Sequence, residues 1–179
     1  MEKKPIDVQR SMRKFLLFII VLSIFCQRLS AKTFSGKCVG VSDGDTISIM
    51  EYGKAIKIRL EGIDCPELGQ DFGTRARRLT SEIVFGKIVE AKEYNRDAYG
   101  RIVARIYIDG KDLSLELVKA GLAWHLKKYS SDPILEEAED QARKRKIGLW
   151  LMPNPVPPWE YRRQHRRRVE ARQPRPFWA

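Results

Sequence analysis

The chain contains few of the side chains that bind transition metals, with two histidines and three cysteines among 179 residues. No CxxC, HExxH or Cys/His cluster occurs, which argues against a zinc site. Cys26 lies in an apolar N-terminal run, so Cys38 and Cys65 are the cysteines left for the body of the chain. We interpret these two as small buried hydrophobic residues rather than a disulfide, because the first lies in a strand and the second in an acidic loop.

The body of the chain also lacks a strong charge of one sign. The formal charge is +11, but residues 1–31 account for +4 and residues 161–179 for +6, which leaves +1 for residues 32–160. Phosphate binding by the body must therefore depend on individually placed arginines rather than on a broad positive field. Residues 161–179 have no periodic apolar face, which predicts a disordered basic tail. We expect its arginines, from Arg162 to Arg175, to speed the encounter with polyanions.

No apolar run is long enough to cross a membrane comfortably. The longest, residues 15–26, would span about 18 Å as a helix against a hydrocarbon core of ~30 Å. Its length and the basic residues before it predict a secretory signal peptide over residues 1–31, cleaved after Ala31, and hence an exported protein, periplasmic or secreted. Because Arg28 and Leu29 fit a cleavage site poorly, an uncleaved anchor in the inner membrane is the alternative.

The remaining chain alternates short strands with a few helices. The predicted strands cover residues 37–41, 46–50, 55–62, 87–93 and 102–108. The predicted helices cover residues 73–85, a segment that begins at Asp112 and stops at Gly121, and residues 134–146. Strands in a three-plus-two order, with a helix after the third, predict a small barrel, that is, a mainly β member of the α+β class over residues 32–160. The proline-rich segment Met152 to Trp159 cannot be helix or central strand.

Acidic residues are concentrated at two turns on either side of one strand. The first turn reads D-G-D-T and contains Asp43 and Asp45, and the second reads D-C-P-E and contains Asp64 and Glu67. Arg59, in the apolar strand between them, would be costly to bury alone, so its presence suggests an anionic partner. Carboxylates at turns with an arginine between them suit a hard cation and a phosphate. The alternative, two ordinary turns and a surface arginine, is disfavoured by the further Tyr-Gly-Arg stretch at residues 99–101.

Three motifs, V-S-D-G-D-T, I-R-L-E-G-I-D-C-P-E and D-A-Y-G-R, occur in the order and spacing that resemble the staphylococcal nuclease (thermonuclease) family. The ending G-L-W-x-x-P-x-P-x-P-P-W-E-Y-R is similar to exported bacterial members. The resemblance covers roughly residues 33–162 and implies a five-stranded OB-fold barrel with three helices, in agreement with the order of elements above. OB folds commonly bind nucleic-acid strands on the barrel face.

The resemblance also implies a set of site residues. The implied calcium ligands are Asp45, Asp64 and the backbone carbonyl of Cys65. All-oxygen ligands from loops, with positions left open for water and a phosphate oxygen, suit Ca²⁺. Glu67 would act as the general base or position the attacking water. Arg59 and Arg101 would hold the phosphodiester and stabilise the charge that grows on its oxygens.

Three further residues would contact the substrate outside the reacting phosphate. The resemblance implies that Tyr99 hydrogen-bonds a flanking phosphate and that Tyr129 lines the nucleotide pocket. Lys127 takes the place of a second pocket tyrosine, and Ala98 replaces a basic residue before the Tyr-Gly-Arg triplet. We therefore expect weaker stacking on bases and stronger attraction to the backbone than in the family's archetype.

Taken together, the resemblance implies a calcium-dependent phosphodiesterase that cleaves DNA and RNA, single strands preferentially, with little sequence demand, and leaves 3′-phosphates. It implies a monomer without a stable protein partner, in contact with a membrane only through an uncleaved N-terminal segment. The alternative is a non-catalytic OB-fold module that binds nucleic acid. The combination of Arg59, Glu67 and Arg101 favours the enzyme, because a pure binding module gains nothing from the negative charge of Glu67 beside a phosphate.

Overall fold

Five strands close into a barrel in the computed structural model, which describes residue 12 and residues 32–172, with side chains through residue 170. The described residues form eight strands in all: β1 (Thr33–Val41), β2 (Thr46–Glu51), β3 (Lys54–Leu60), β4 (Ile63–Asp64), β5 (Ile88–Arg96), β6 (Ile102–Ile108), β7 (Lys111–Asp112) and β8 (Trp124–His125). Antiparallel pairing runs in the order β3-β2-β1-β5-β6, and a parallel pairing of β3 with β6 closes the ring. The five-stranded OB-type barrel predicted from the sequence is confirmed. The proposed signal segment lies outside the described residues, apart from Met12.

The barrel forms because its strands alternate apolar and polar side chains, so that one face of each strand can be buried. The side chains that fill the core from three of the strands are Ile47, Ile49, Ile58, Leu60, Ile102, Ala104 and Ile106, all essentially without solvent exposure. Arg59 lies between Ile58 and Leu60, and successive strand side chains point to opposite faces. Arg59 is therefore on the outer face of the barrel, where a ligand can reach it.

Four α-helices accompany the barrel in the described part of the chain. They are α1 (Gly73–Val84), α2 (Leu113–Lys119), α3 (Pro133–Lys144) and α4 (Pro158–Arg172), with a 3₁₀ turn at Gly148–Leu151. Asp112 and Asp132 cap α2 and α3 by accepting backbone N–H bonds, and Pro133 occupies the first turn of α3. None of the helices described is both long and apolar enough to cross a membrane.

The fourth helix corrects two predictions. It begins at Pro158, so the proline-rich segment predicted to contain no helix enters one at its last two residues, where proline is tolerated in the first turn. The disordered tail expected from residue 161 is wrong for residues 161–172, because these residues continue the helix that begins at Pro158. The prediction relied on the absence of an apolar stripe, but α4 is held by the contacts of its first turn. Trp159 packs edge-to-face on Trp124 with ring centroids 5.6 Å apart, and the Tyr161 hydroxyl donates to the Gly69 carbonyl at 2.9 Å.

A small second core surrounds these aromatic rings. Trp124 also packs against Trp150 at 4.5 Å, and the Arg143 guanidinium lies 3.6 Å from the Trp150 ring centroid. The three tryptophans are thus packing residues. Cys38 and Cys65 are both buried and free, in agreement with their interpretation as small hydrophobic residues.

A buried ion-pair network lies on the outer face of the barrel, where α2 and α3 begin. Arg105, 6% exposed, bonds Glu61, Asp112 and Asp132 through three different guanidinium nitrogens. Burial lowers the pKa of Arg105, but the hydrogen bonds to Asp112 and Glu61 outweigh it and raise the pKa above its ordinary value. Two of the partners are the capping residues of α2 and α3, so this arginine joins both helices to the barrel.

Candidate active site

The two acidic turns predicted from the sequence lie against each other. Asp45, at the β1–β2 turn, accepts a hydrogen bond from the Cys65 backbone N–H through Oδ2 at 2.6 Å. The Gly44 carbonyl beside it accepts a bond from the Thr80 hydroxyl of α1 at 2.6 Å. A Cβ atom on Gly44 would lie 2.7 Å from the Cys65 Cβ, so only glycine allows this approach. The first turn is therefore fixed by the second turn and by α1.

Arg59 bridges the two aspartates. Its Nη1 lies 3.0 Å from Asp45 Oδ1 and its Nη2 lies 2.8 Å from Asp64 Oδ1. Burial lowers the pKa of Arg59, but the charges of Asp45 and Asp64 outweigh that effect and raise the pKa. The anionic partner that the sequence required for Arg59 is thus a pair of carboxylates, brought together from two turns.

One arginine does not fully compensate the buried negative charge. Burial raises the pKa of Asp45 to about 7, Arg59 opposes the rise, and the charges of Asp43 and Asp64 add to it. Asp64 is 2% exposed and lies on β4, whose pairing with β8 sets it opposite Trp124. These adjacent carboxylates are shielded from water and are not fully neutralised by Arg59. Such a pair attracts a further cation.

The residues present fit calcium in the chemistry of their donors. Asp45 and Asp64 offer carboxylate oxygens that lie close together, since both bond the guanidinium of Arg59. The Cys65 carbonyl belongs to the second turn, whose backbone N–H at Cys65 is bonded to Asp45. Hard oxygen donors of this kind are those that Ca²⁺ prefers. Among the described residues, however, no group of three or more His, Cys, Asp or Glu side chains has the arrangement of a metal site.

Glu67 stands at the outer edge of this cluster. Its backbone is fixed by the turn that follows it, because the Glu67 carbonyl accepts a bond from the Gln70 N–H at 2.8 Å. A Cβ atom on Gly73, at the start of α1, would lie 1.8 Å from that carbonyl oxygen, so a side chain there would displace the turn. The Glu67 carboxylate remains about one third exposed, in reach of water and of a bound substrate.

The sequence analysis missed Arg162, a second arginine that pairs with the acidic cluster. Its Nη1 lies 2.7 Å from Glu67 Oε1 and its Nη2 lies 2.8 Å from Asp64 Oδ2. Burial lowers the pKa of Arg162, but the hydrogen bonds to Asp64 and Glu67 raise it overall. The available signal was the W-E-Y-R ending of the last motif, which places this arginine at a fixed distance from Trp159, but the charge count had assigned it to the tail.

Arg101 and Tyr99 belong to a separate turn, between β5 and β6. The Arg101 Nε lies 2.6 Å from Asp97 Oδ2, and its guanidinium lies 5.6 Å from the centre of the exposed Tyr99 ring. Val103 of β6 is paired with Arg59 of β3, and Arg101 lies two positions before Val103, on the same outer side of the barrel. The two predicted arginines therefore share one face, although no contact joins Arg101 to the acidic cluster in the described residues.

The predicted nucleotide-pocket residues follow β8. Leu126 donates its N–H to the Gly62 carbonyl at 2.8 Å, which joins this loop to the turn before Asp64. Lys127 pairs with Glu136 of α3 at 2.7 Å, and the ring of Tyr129 is largely exposed. Neither side chain contacts the acidic cluster, so their place in substrate binding stays a prediction.

A barrel with paired aspartates, a glutamate and arginines on one outer face has the features of a protein that handles phosphodiesters. Comparison with known proteins identifies the family. Residues 57–152 match the family described as staphylococcal nuclease homologue. The chain therefore belongs to the staphylococcal nuclease family.

Several relatives are similar over most of their length. A protein of Escherichia coli named uncharacterized endonuclease is 41% identical over 152 residues, covering 84% of this chain and 98% of the relative. A protein of Haemophilus influenzae with the same name is 39% identical over 157 residues, covering 86% and 88%. The micrococcal nuclease of Shigella flexneri is 35% identical over 141 residues, covering 73% and 81%.

Proposed function

We propose that this protein is a calcium-dependent nuclease that hydrolyses phosphodiester bonds of DNA and RNA with little sequence specificity and leaves 3′-phosphates. The observation that carries the proposal is the Asp45–Arg59–Asp64 bridge with Glu67 linked to it through Arg162. Membership of the family and the names of the relatives support a nuclease.

In the proposed reaction, Arg59 and Arg101 hold the non-bridging oxygens of the scissile phosphate on the outer face of the barrel. Glu67 takes a proton from a water molecule as the water oxygen forms a bond to phosphorus. The bond from phosphorus to the 5′-oxygen breaks, and that oxygen leaves with a proton from solvent. The arginines stabilise the added negative charge by bidentate hydrogen bonds, which lysine cannot form. Bound calcium, held by Asp45, Asp64 and the Cys65 carbonyl, would supply further positive charge at the phosphate.

A preference for single strands is part of the proposal. The Tyr129 ring is 71% exposed, and unpaired bases stack on exposed aromatic rings whatever their sequence. The Tyr99 side chain is 85% exposed, so its hydroxyl is free to hydrogen-bond a flanking phosphate. Lys128 lies beside the Tyr129 ring and would attract the backbone of the strand, as would Lys127 if it leaves Glu136. The bases of a duplex stay stacked on each other and cannot stack on Tyr129.

The test is digestion of single-stranded DNA, duplex DNA and RNA by the purified protein, with calcium and with a chelator. We expect rapid cleavage in calcium, 3′-phosphate ends and no cleavage after chelation. Binding of the strands without cleavage under any of these conditions would instead support the non-catalytic OB-fold module. Undiminished cleavage in the chelator would exclude the calcium requirement.

We further propose that the protein is exported, on the basis of the basic and apolar N-terminal sequence. The measurement is the intact mass of the protein recovered from outside the cytoplasm. A mass that begins at or near Lys32 supports cleavage of a signal peptide. A mass that retains residues 15–26 supports an N-terminal anchor instead.

A further inference from the structure

The backbone of Arg162 is fixed beside the acidic cluster by its neighbours in the first turn of α4. Trp159 packs on Trp124, and the Tyr161 hydroxyl bonds the Gly69 carbonyl in the same loop that carries Glu67. Neither of these contacts involves the Arg162 side chain. The Arg162 side chain is 46% exposed, compared with 14% for Arg59, so its head group is accessible to a ligand from solvent.

The head group of Arg162 reaches the same oxygen atom as that of Arg59. Asp64 Oδ1 accepts from Arg59 Nη2 at 2.8 Å and from Arg162 Nη1 at 3.3 Å. Asp64 Oδ2 accepts from Arg162 Nη2 at 2.8 Å. Both oxygens of a proposed calcium ligand are therefore bonded to guanidinium groups, and the proposed general base shares one of these groups.

We propose that Arg162 is a third phosphate-binding arginine of the active site, held on Asp64 and Glu67 until calcium and substrate replace it there. This inference rests on the proposed nuclease function. Arg162 and calcium compete for Asp64, so Arg162 weakens calcium binding in the absence of substrate. Once displaced, its guanidinium binds an oxygen of the substrate phosphate and strengthens substrate binding.

Charge explains why the exchange is favourable. Without metal, Arg59 and Arg162 are the cations that bond Asp45, Asp64 and Glu67 among the described residues, and removal of either would leave carboxylates poorly compensated. A divalent cation on Asp64 would repel the nearby guanidinium and make its carboxylate contacts redundant. A phosphate offers two acceptor oxygens to the planar Arg162 guanidinium, as the carboxylates did. Only the Arg162 side chain needs to move, because the backbone of α4 is anchored by Trp159 and Tyr161.

The other arginines of α4 show what an arginine on this helix does without such a role. Arg163, Arg166 and Arg167 are exposed, and none forms an ion pair with a described residue. Arg162 is distinguished from them by its ion pairs with Asp64 and Glu67. Arg163 therefore provides a matched control with the same charge, the same helix and the adjacent position.

The experiment compares Arg162→Gln, Arg162→Lys and Arg163→Gln in the full-length protein. Calcium binding is measured by calorimetry without substrate, and kcat and KM are measured with a short single-stranded oligodeoxynucleotide in saturating calcium. Arg162→Gln should bind calcium roughly tenfold more tightly, because the competing cation is gone. Its kcat/KM should fall by roughly 10- to 100-fold, the usual cost of removing a hydrogen bond to a charged group. Arg162→Lys should recover part of kcat/KM, since it keeps the charge but not the fork.

The opposite signs of the two effects separate this role from a structural one. Calcium affinity in Arg163→Gln should equal that of the unaltered protein, and its change in KM measures the general effect of removing one charge. If Arg162→Gln matches Arg163→Gln in both measurements, Arg162 is only a surface cation and the inference is overturned. Weaker calcium binding in Arg162→Gln would also overturn it. Absence of calcium-dependent cleavage by the unaltered protein would refute the proposed function itself, a different outcome from either of these.

Discussion

Asp45 and Cys65, twenty residues apart, are joined by a 2.6 Å hydrogen bond from the Cys65 backbone N–H to the buried Asp45 carboxylate. This bond locks the turn after β1 to the turn after β4, and both turns carry proposed calcium ligands. The space left for a side chain at Gly44, between Cys65 and Ala76, is too small for any residue but glycine. Contacts between the two turns thus fix the positions of the site residues, and neither turn would fix them by itself.

Glu67→Gln should leave the fold intact and reduce kcat by roughly 10²- to 10⁴-fold, the range ascribed to a positioned acid–base group. The amide keeps the size of the side chain and an acceptor for Arg162 but cannot take a proton from water. Steady-state kinetics in saturating calcium measures the effect. Glu82→Gln, an exposed glutamate of α1 paired with Arg78, is the matched control and should retain full activity. Near-full activity of Glu67→Gln would eliminate Glu67 as the base.

Asp64→Ala should abolish both calcium binding and cleavage, because a calcium site with few protein ligands cannot lose one. The substitution also leaves Arg59 and Arg162 without their shared partner. Calorimetry of the metal-free protein and digestion assays check the two effects separately. Asp71→Ala, which removes an exposed carboxylate from the loop before α1, should change neither calcium binding nor cleavage.

Magnesium should support less activity than calcium, since Mg²⁺ requires a more regular octahedral arrangement of ligands than Ca²⁺ does.

Strand alternation was sufficient to predict the barrel, helical spacing of apolar residues predicted α1, and start and stop signals predicted α2 and α3. Burial of alternate residues along β2, β3 and β6 creates that signal locally, and so do the caps at Asp112 and Asp132. Arg59 was recognisable as a residue that needs an anionic partner because charge within an apolar strand is costly.

The residues that sequence reasoning missed depend on contacts between distant segments. Helix α4 has no apolar stripe, and its first turn is ordered by Trp124 and by the loop at Gly69, which are far away in the sequence. Arg162 therefore looked like one basic tail residue among seven. Arg105 was not singled out in the sequence, because its partners come from three separate segments.

Arg105→Ala should lower the free energy of unfolding by about 3–5 kcal/mol, the usual cost of breaking a buried ion pair by removing one partner. Three carboxylates would be left close together with little solvent, at the point where α2 and α3 begin. Urea denaturation of the metal-free protein gives the measurement. Arg78→Ala, which removes an exposed pair on α1, should cost less than about 1 kcal/mol. A similarly small cost for Arg105→Ala would show that the network does not stabilise the fold.

The exposed arginines on the second half of α4 should govern how binding depends on salt. The body of the chain carries only +1, so residues 166–168 hold much of the positive charge available to a strand that extends beyond the site. Replacing all three by glutamine should retain kcat at saturating substrate but raise KM at low salt. On single strands, the log–log slope of binding against salt should decrease by about 0.7 for each phosphate that the protein no longer neutralises. Glutamine at residues 144–146, which removes three charges at the end of α3, should alter the slope much less. Equal slopes for the two triple variants would mean that α4 acts through net charge alone and not through its position beside the site.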